Sequence, residues 1–104
     1  MDRQARERDD RAGRARRIAI DLARRLLDEW GVRRVILFGS LAEGCFHERS
    51  DIDLAVEGLD PDELLDATVS LDREAGPFTI DLVPLERQPQ GFRERIEKEG
   101  VVLP

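Results

Sequence analysis

Apolar residues in the first third of the chain recur at intervals of three and four. Ala15, Ile18, Ala19, Leu22, Ala23, Leu26, Leu27 and Trp30 form one stripe, while Arg16, Arg17, Asp21, Arg24 and Arg25 fill the other side. This spacing predicts an amphipathic helix over residues 14–30, ended by Gly31. The almost wholly charged residues 1–13 either continue that helix or fray. The period then shortens. "VRRVILF" (32–38) ends in a continuous apolar run of strand length, closed by Gly39, and "DIDLAVEG" alternates, with Ile52, Leu54 and Val56 on one face and Asp51, Asp53 and Ala55 on the other. Asp60 as N-cap, Pro61 at the first helical position and Glu63 at the third open a helix expected to run to about Ala75, before the Gly76-Pro77 break. "PFTIDLVPL" is a third strand, with Phe78, Ile80 and Leu82 against Thr79, Asp81 and Val83. A short helix through "QGFRERIEKEG", with Phe92 and Ile96 one turn apart, and a terminal strand "VVL" complete the order. The pattern predicts an α+β fold: a small mixed sheet with helices on one face and the other face open.

Composition narrows the classes. The length of 104 residues suits one domain, 1–104, with one modest core. The net charge of -6 is unevenly spread, since residues 1–34 carry eleven Arg against seven Asp or Glu and the remainder is strongly acidic. That balance argues against a general nucleic-acid binder, although a basic helix suits an acidic partner or a phosphate. A single cysteine, Cys45, excludes an internal disulfide framework and fits a reducing compartment. No apolar run approaches membrane-spanning length and "MDRQARERDD" lacks the apolar segment of a signal peptide, so a cytoplasmic protein with no membrane partner is expected.

The chemistry concentrates in "LFGSLAEGCFHERSDIDLAV", residues 37–56. Asp51 and Asp53 stand inside an otherwise apolar strand, a setting that predicts burial. Asp81 holds a comparable place on the third strand. If those strands are neighbours, the three carboxylates converge on the open face, where they repel one another unless cations neutralise them. A pair of Mg²⁺ ions suits such a set, because these hard cations prefer carboxylate oxygens and keep waters for substrate. Gly39 lets the backbone approach a ligand, and Ser40 is expected to cap a short helix through "LAEG" while facing a phosphate. A phosphate-holding turn followed by a metal-holding strand makes a site for a nucleoside triphosphate.

Gly39-Ser40, ten further residues, then Asp51-Ile52-Asp53 resembles the signature of the minimal nucleotidyltransferases of the DNA polymerase beta superfamily. The resemblance continues through "SDIDLAV", "TIDLVPL" and, loosely, "IEKEGVVL". It implies the polymerase beta-like fold, Mg²⁺ as cofactor (two ions) and ATP as substrate. Asp51 and Asp53 would hold both metals, Asp81 would complete the catalytic-metal site and help to deprotonate the attacking hydroxyl, and Gly39 and Ser40 would hold the β- and γ-phosphates. The implied reaction is transfer of AMP from ATP to an acceptor hydroxyl with release of pyrophosphate. Many stand-alone relatives are antitoxins paired with HEPN-domain ribonuclease toxins, some of which they adenylylate on a tyrosine. A HEPN-type toxin is therefore the implied partner, and homo- and hetero-oligomers both stay open. The alternative is a non-catalytic antitoxin that neutralises its toxin by direct binding.

The sequence departs from the family after Gly-Ser. Many relatives continue Arg-Ala-Arg-Gly, whereas this chain has Leu41-Ala42-Glu43-Gly44, a departure that either weakens nucleotide affinity or shifts the phosphate-facing task to Arg49 or an N-terminal arginine. No additional helical domain of the kind larger relatives use for nucleic acid is present, so direct nucleic-acid binding is not expected. His47, in the loop "CFHERS", reads as a solvated residue, Cys45 as a packed or incidental thiol and Trp30 as core.

Overall fold

The computed structural model describes residues 3–104. In chain order it contains α1 (Arg3–Glu29), β1 (Arg34–Phe38), α2 (Ser40–Glu43), β2 (Ile52–Glu57), a 3-10 turn (Pro61–Glu63), α3 (Leu64–Asp72), β3 (Ile80–Pro84), a second 3-10 turn (Leu85–Arg87), α4 (Gln90–Glu99) and β4 (Val101–Leu103). The four strands form one mixed sheet in the order β3-β2-β1-β4. β1 pairs antiparallel with both β2 and β4, and β2 pairs parallel with β3. A parallel pair needs a crossover, which the segment carrying α3 supplies.

The expected α1 stripe is buried: Ala15, Ala19, Leu22, Ala23 and Leu26 are essentially inaccessible, with Ile18, Leu27 and Trp30 packed beside them. Gly31, at φ 67°, turns the chain out of the helix. The charged extension is helical back to Arg3, with Met1 and Asp2 outside the described residues. Its anchorage is physical rather than a matter of propensity. Ala12 packs on the core, the Arg11 guanidinium lies 4.7 Å from the Phe78 ring centroid, and Arg11 donates to the Glu48 carbonyl at 3.3 Å.

The strand alternation sorts the side chains as expected. Val35 and Leu37 of β1, Ile52, Leu54 and Val56 of β2, Ile80 and Leu82 of β3, and Leu103 join the α1 and α3 residues in one core. The opposite face carries a smaller cluster, Ile36, Ala55, Leu85 and Ile96, with Phe38 and Val83 against it. The hydrophobic pattern predicts helices on one face and leaves the other open. α1 and α3 keep to that arrangement, while α4 crosses the second face, because Ile96 finds there an apolar seat of Ile36 and Ala55. What stays open on that face is the end that carries the aspartates.

The helix expected from Asp60 to Ala75 is shorter than its sequence signals. Asp60 caps as expected, accepting the Asp62 N–H at 2.9 Å, but the first turn is 3-10 and the α-helix occupies only Leu64–Asp72. Beyond Asp72 the chain tightens into i→i−3 bonds, Glu74 N–H to the Leu71 carbonyl and Ala75 N–H to that of Asp72, which draw it in towards Gly76-Pro77.

Leu26 joins α1 to the sheet and is fully buried, whereas Leu65 on α3 is 73% exposed. Urea unfolding should show Leu26→Ala losing about 2–5 kcal/mol, and Leu65→Ala staying within about 0.5 kcal/mol of wild type.

Candidate active site

The parallel register of β2 and β3 sets Asp53 directly beside Asp81, and the antiparallel register of β1 and β2 sets Asp53 beside Phe38. All three side chains share one face of the sheet, with Asp53 in the middle. Asp51 precedes β2 by one residue and shares the strand parity of Asp53, so it joins them at the start of that strand. The sequence led us to expect buried aspartates. The structure corrects this: Asp53 alone is partly buried, while Asp51 and Asp81 are exposed. They lie where β2 begins and α4 does not reach.

Gly39 forms the other wall. It stands at φ 75°, and a Cβ built on it would come within 2.1 Å of Asp53 Oδ2. Only a residue without a side chain can place its backbone against that carboxylate. Gly39, rather than Ser40, is the N-cap of α2, and no side chain caps the helix. Ser40 is the first helical residue, and its hydroxyl takes no hydrogen bond among the described residues. Leu41 is fully buried and pins the four-residue helix to the core. This explains the first departure from the family pattern, since the position is given over to packing. Glu43 is exposed and shares a groove with Gly39.

Burial, then the charge of Asp81, then that of Asp51, push the Asp53 carboxyl up from 3.8 to about 6. The cost of ionising Asp53 is what a bound cation would remove. Three acidic oxygen donors and a glycine that keeps the adjoining space clear are of the chemical type that Mg²⁺ and a phosphate-bearing ligand take. Among the described residues, no group of three or more His, Cys, Asp or Glu side chains is gathered closely enough to hold a metal ion.

Arg49 sits in the exposed turn that leads to Asp51. Its backbone N–H donates to His47 Nδ1 at 3.2 Å, and its guanidinium makes no ion pair among the described residues. The structure thus brings Asp51, Asp53, Asp81 and Gly39 together with Ser40 alongside, and does not bring Arg49 into contact with them. His47 is exposed, as expected, and Cys45 is exposed too. The sequence places Phe92 and Ile96 one turn apart and carries no sign that they part company: Ile96 is buried, while Phe92 stays 41% exposed beside Gly39, a placement that only the α4 crossing reveals.

Asp53 gives the metal-free protein a signed pH dependence. Between pH 3.8 and about 6 the folded chain holds the Asp53 proton where the unfolded chain has lost it. Folding therefore binds a proton in that window, and this contribution to stability falls as pH rises through it. In EDTA, the Tm of Asp53→Asn should match wild type near pH 4 and exceed it near pH 7. A variant that never exceeds wild type would contradict the repulsion.

Three solved structures, each 27% identical to this chain, share its fold. One is described as a minimal nucleotidyltransferase and aligns with a TM-score of 0.69 over 82% of this chain and 89% of its own. A toxin–antitoxin crystal structure with AMP-PNP gives 0.65 over 83% and 69%. A mutant of the toxin–antitoxin MntA-HpeT gives 0.64 over 82% and 68%. The chain matches no protein of curated function. The family described as "Polymerase beta, Nucleotidyltransferase" matches residues 21–104, which span the whole sheet and every carboxylate of the site. On that match the chain belongs to the polymerase beta nucleotidyltransferase family.

Proposed function

We propose that this protein transfers AMP from ATP to a hydroxyl of a partner protein, a tyrosine of a HEPN-type ribonuclease toxin, and thereby acts as its antitoxin. The observation that carries the reading is the side-by-side register of Asp53 and Asp81 against the Gly39 backbone. Two of the similar structures are toxin–antitoxins, one with AMP-PNP, which supports both the partner class and the nucleotide.

Each residue then has a task. Asp51 and Asp53 would hold the Mg²⁺ ions, with Asp81 completing the set. When bound, these ions supply neutralising charge for the triphosphate and for the developing pyrophosphate. Asp81, exposed at the edge of the trio, is open to an incoming hydroxyl and accepts its proton. The hydroxyl oxygen forms a bond to the α-phosphorus as the bond to the pyrophosphate oxygen breaks. Gly39 and Ser40 hold the leaving β- and γ-phosphates through backbone N–H groups and the Ser40 hydroxyl. Arg49, on the loop before Asp51, would be the cation that meets them in the loaded state. Little covalent chemistry falls to the chain beyond this proton, so positioning and charge carry the rate.

A second reading has its own observation. α2 offers no cation, since Leu41 is buried and Glu43 faces the groove beside Gly39. That favours a binding antitoxin which covers its toxin without modifying it.

With α-³²P-labelled ATP, Mg²⁺ and a lysate of the source cells, wild type should label one protein band. Asp53→Asn should lower the label by about a hundredfold or more. A partner still pulled down by wild type with no band formed would favour the binding antitoxin instead.

A further inference from the structure

The Gly39 wall of the site continues into a groove of about 230 Å³ between α2 and α4, lined by Phe38, Gly39, Glu43, Phe92, Arg95 and Ile96 among others. Its floor is aromatic. Phe38 and Phe92 meet edge to face, with ring centroids 5.9 Å apart and planes at 83°. Such a pair fixes both rings while leaving Phe92 41% exposed towards solvent. The Arg95 guanidinium, held by Glu99 at 3.2 Å, closes one wall. An exposed i,i+4 pair of this kind contributes little and is readily exchanged, so the planar cation is available to a ligand.

We propose that this groove seats the nucleobase of the triphosphate, stacked against Phe92 and backed by Phe38. The inference rests on the nucleotide-transfer reading above and extends it to the part of the substrate that none of the carboxylates addresses. Three observations carry it. Gly39 lines the groove and also abuts the Asp53 carboxylate, so a ligand with phosphates on Gly39-Ser40 has the groove next to it. Phe38 is the β1 partner of Asp53 on the side away from Asp81, which keeps the base clear of the edge where the acceptor hydroxyl enters. Finally, α2 carries no cation for the phosphates, and an aromatic shelf beside the site adds affinity that needs no charge. The exposed apolar groups Ile20, Leu65 and Val69 cannot serve, because they belong to α1 and α3 behind the sheet.

The test compares Mg·ATP with Mg·tripolyphosphate, which has no base, by calorimetric competition on wild type, Phe92→Ala and Phe92→Trp. Wild type should prefer Mg·ATP, and Phe92→Ala should weaken Mg·ATP by about five- to a hundredfold while leaving tripolyphosphate unchanged. Phe92→Trp should restore the preference, and its added indole emission should be quenched by ATP. Phe92→Ala that binds Mg·ATP like wild type would overturn the proposal, even if it loses a protein partner, for the groove would then be a protein-docking surface. Equal loss of both probes would also overturn it, marking Phe92 as merely structural. Wild type that binds both probes equally well removes the base seat but leaves nucleotide transfer standing. Wild type that binds neither removes both.

Discussion

The structure turns on an unfavourable interaction that the fold imposes on itself: two carboxylates, Asp53 and Asp81, in direct register on adjacent parallel strands, with a third at the start of the same strand. Nothing among the described residues neutralises them, and no described arginine is paired to any of the three. The half-buried member, Asp53, feels this most: burial first, then the charges of Asp81 and Asp51, push its carboxyl up to about 6. A sheet held by a core of Leu, Ile and Val on its other face can sustain such local repulsion, because that core is set by packing and not by charge. On the proposed function, this repulsion is what a cation-bearing ligand would relieve.

The surrounding elements are arranged around this constraint. The α3 crossover brings β3 parallel to β2 and thereby sets the Asp53–Asp81 register. β1 delivers Gly39 to the same level, and the buried Leu41 fixes the direction in which α2 leaves. α4 covers the far end of the aspartate face through Ile96 and returns the chain to β1 as β4, leaving the near end free. The same face thus holds a small apolar cluster, an aromatic groove and a carboxylate set in sequence, an order suited to a ligand that is aromatic at one end and anionic at the other.

Much of this was legible in the sequence. Period-two alternation placed Asp51, Asp53 and Asp81 on one face correctly, since it depends only on strand geometry, and the Gly39-Ser40 spacing identified the turn. What depended on tertiary packing was not legible. Burial of the aspartates was inferred from apolar neighbours that in fact point to the other face. Ser40 had the chemistry of a cap, but the sharp exit from β1 requires positive φ at Gly39, which gives Gly39 that position. The helical state of the charged extension followed from Arg11 meeting Phe78 and Glu48, contacts far apart in sequence. α4 on the aspartate face, and with it the exposed Phe92, had no local signal, because a four-residue apolar spacing does not say which face of a sheet it will meet.

The proposed function requires these three carboxylates to act as one divalent-cation site. It is tested most directly by titrating the ¹⁵N-labelled protein with Mn²⁺ and following paramagnetic broadening of its amides. The account predicts early and selective broadening at residues 39–40, 51–53 and 81, while the acidic pair Asp9 and Asp10 on α1 is spared. Broadening spread evenly over the acidic surface, or absent from Asp53 and Asp81, would contradict it.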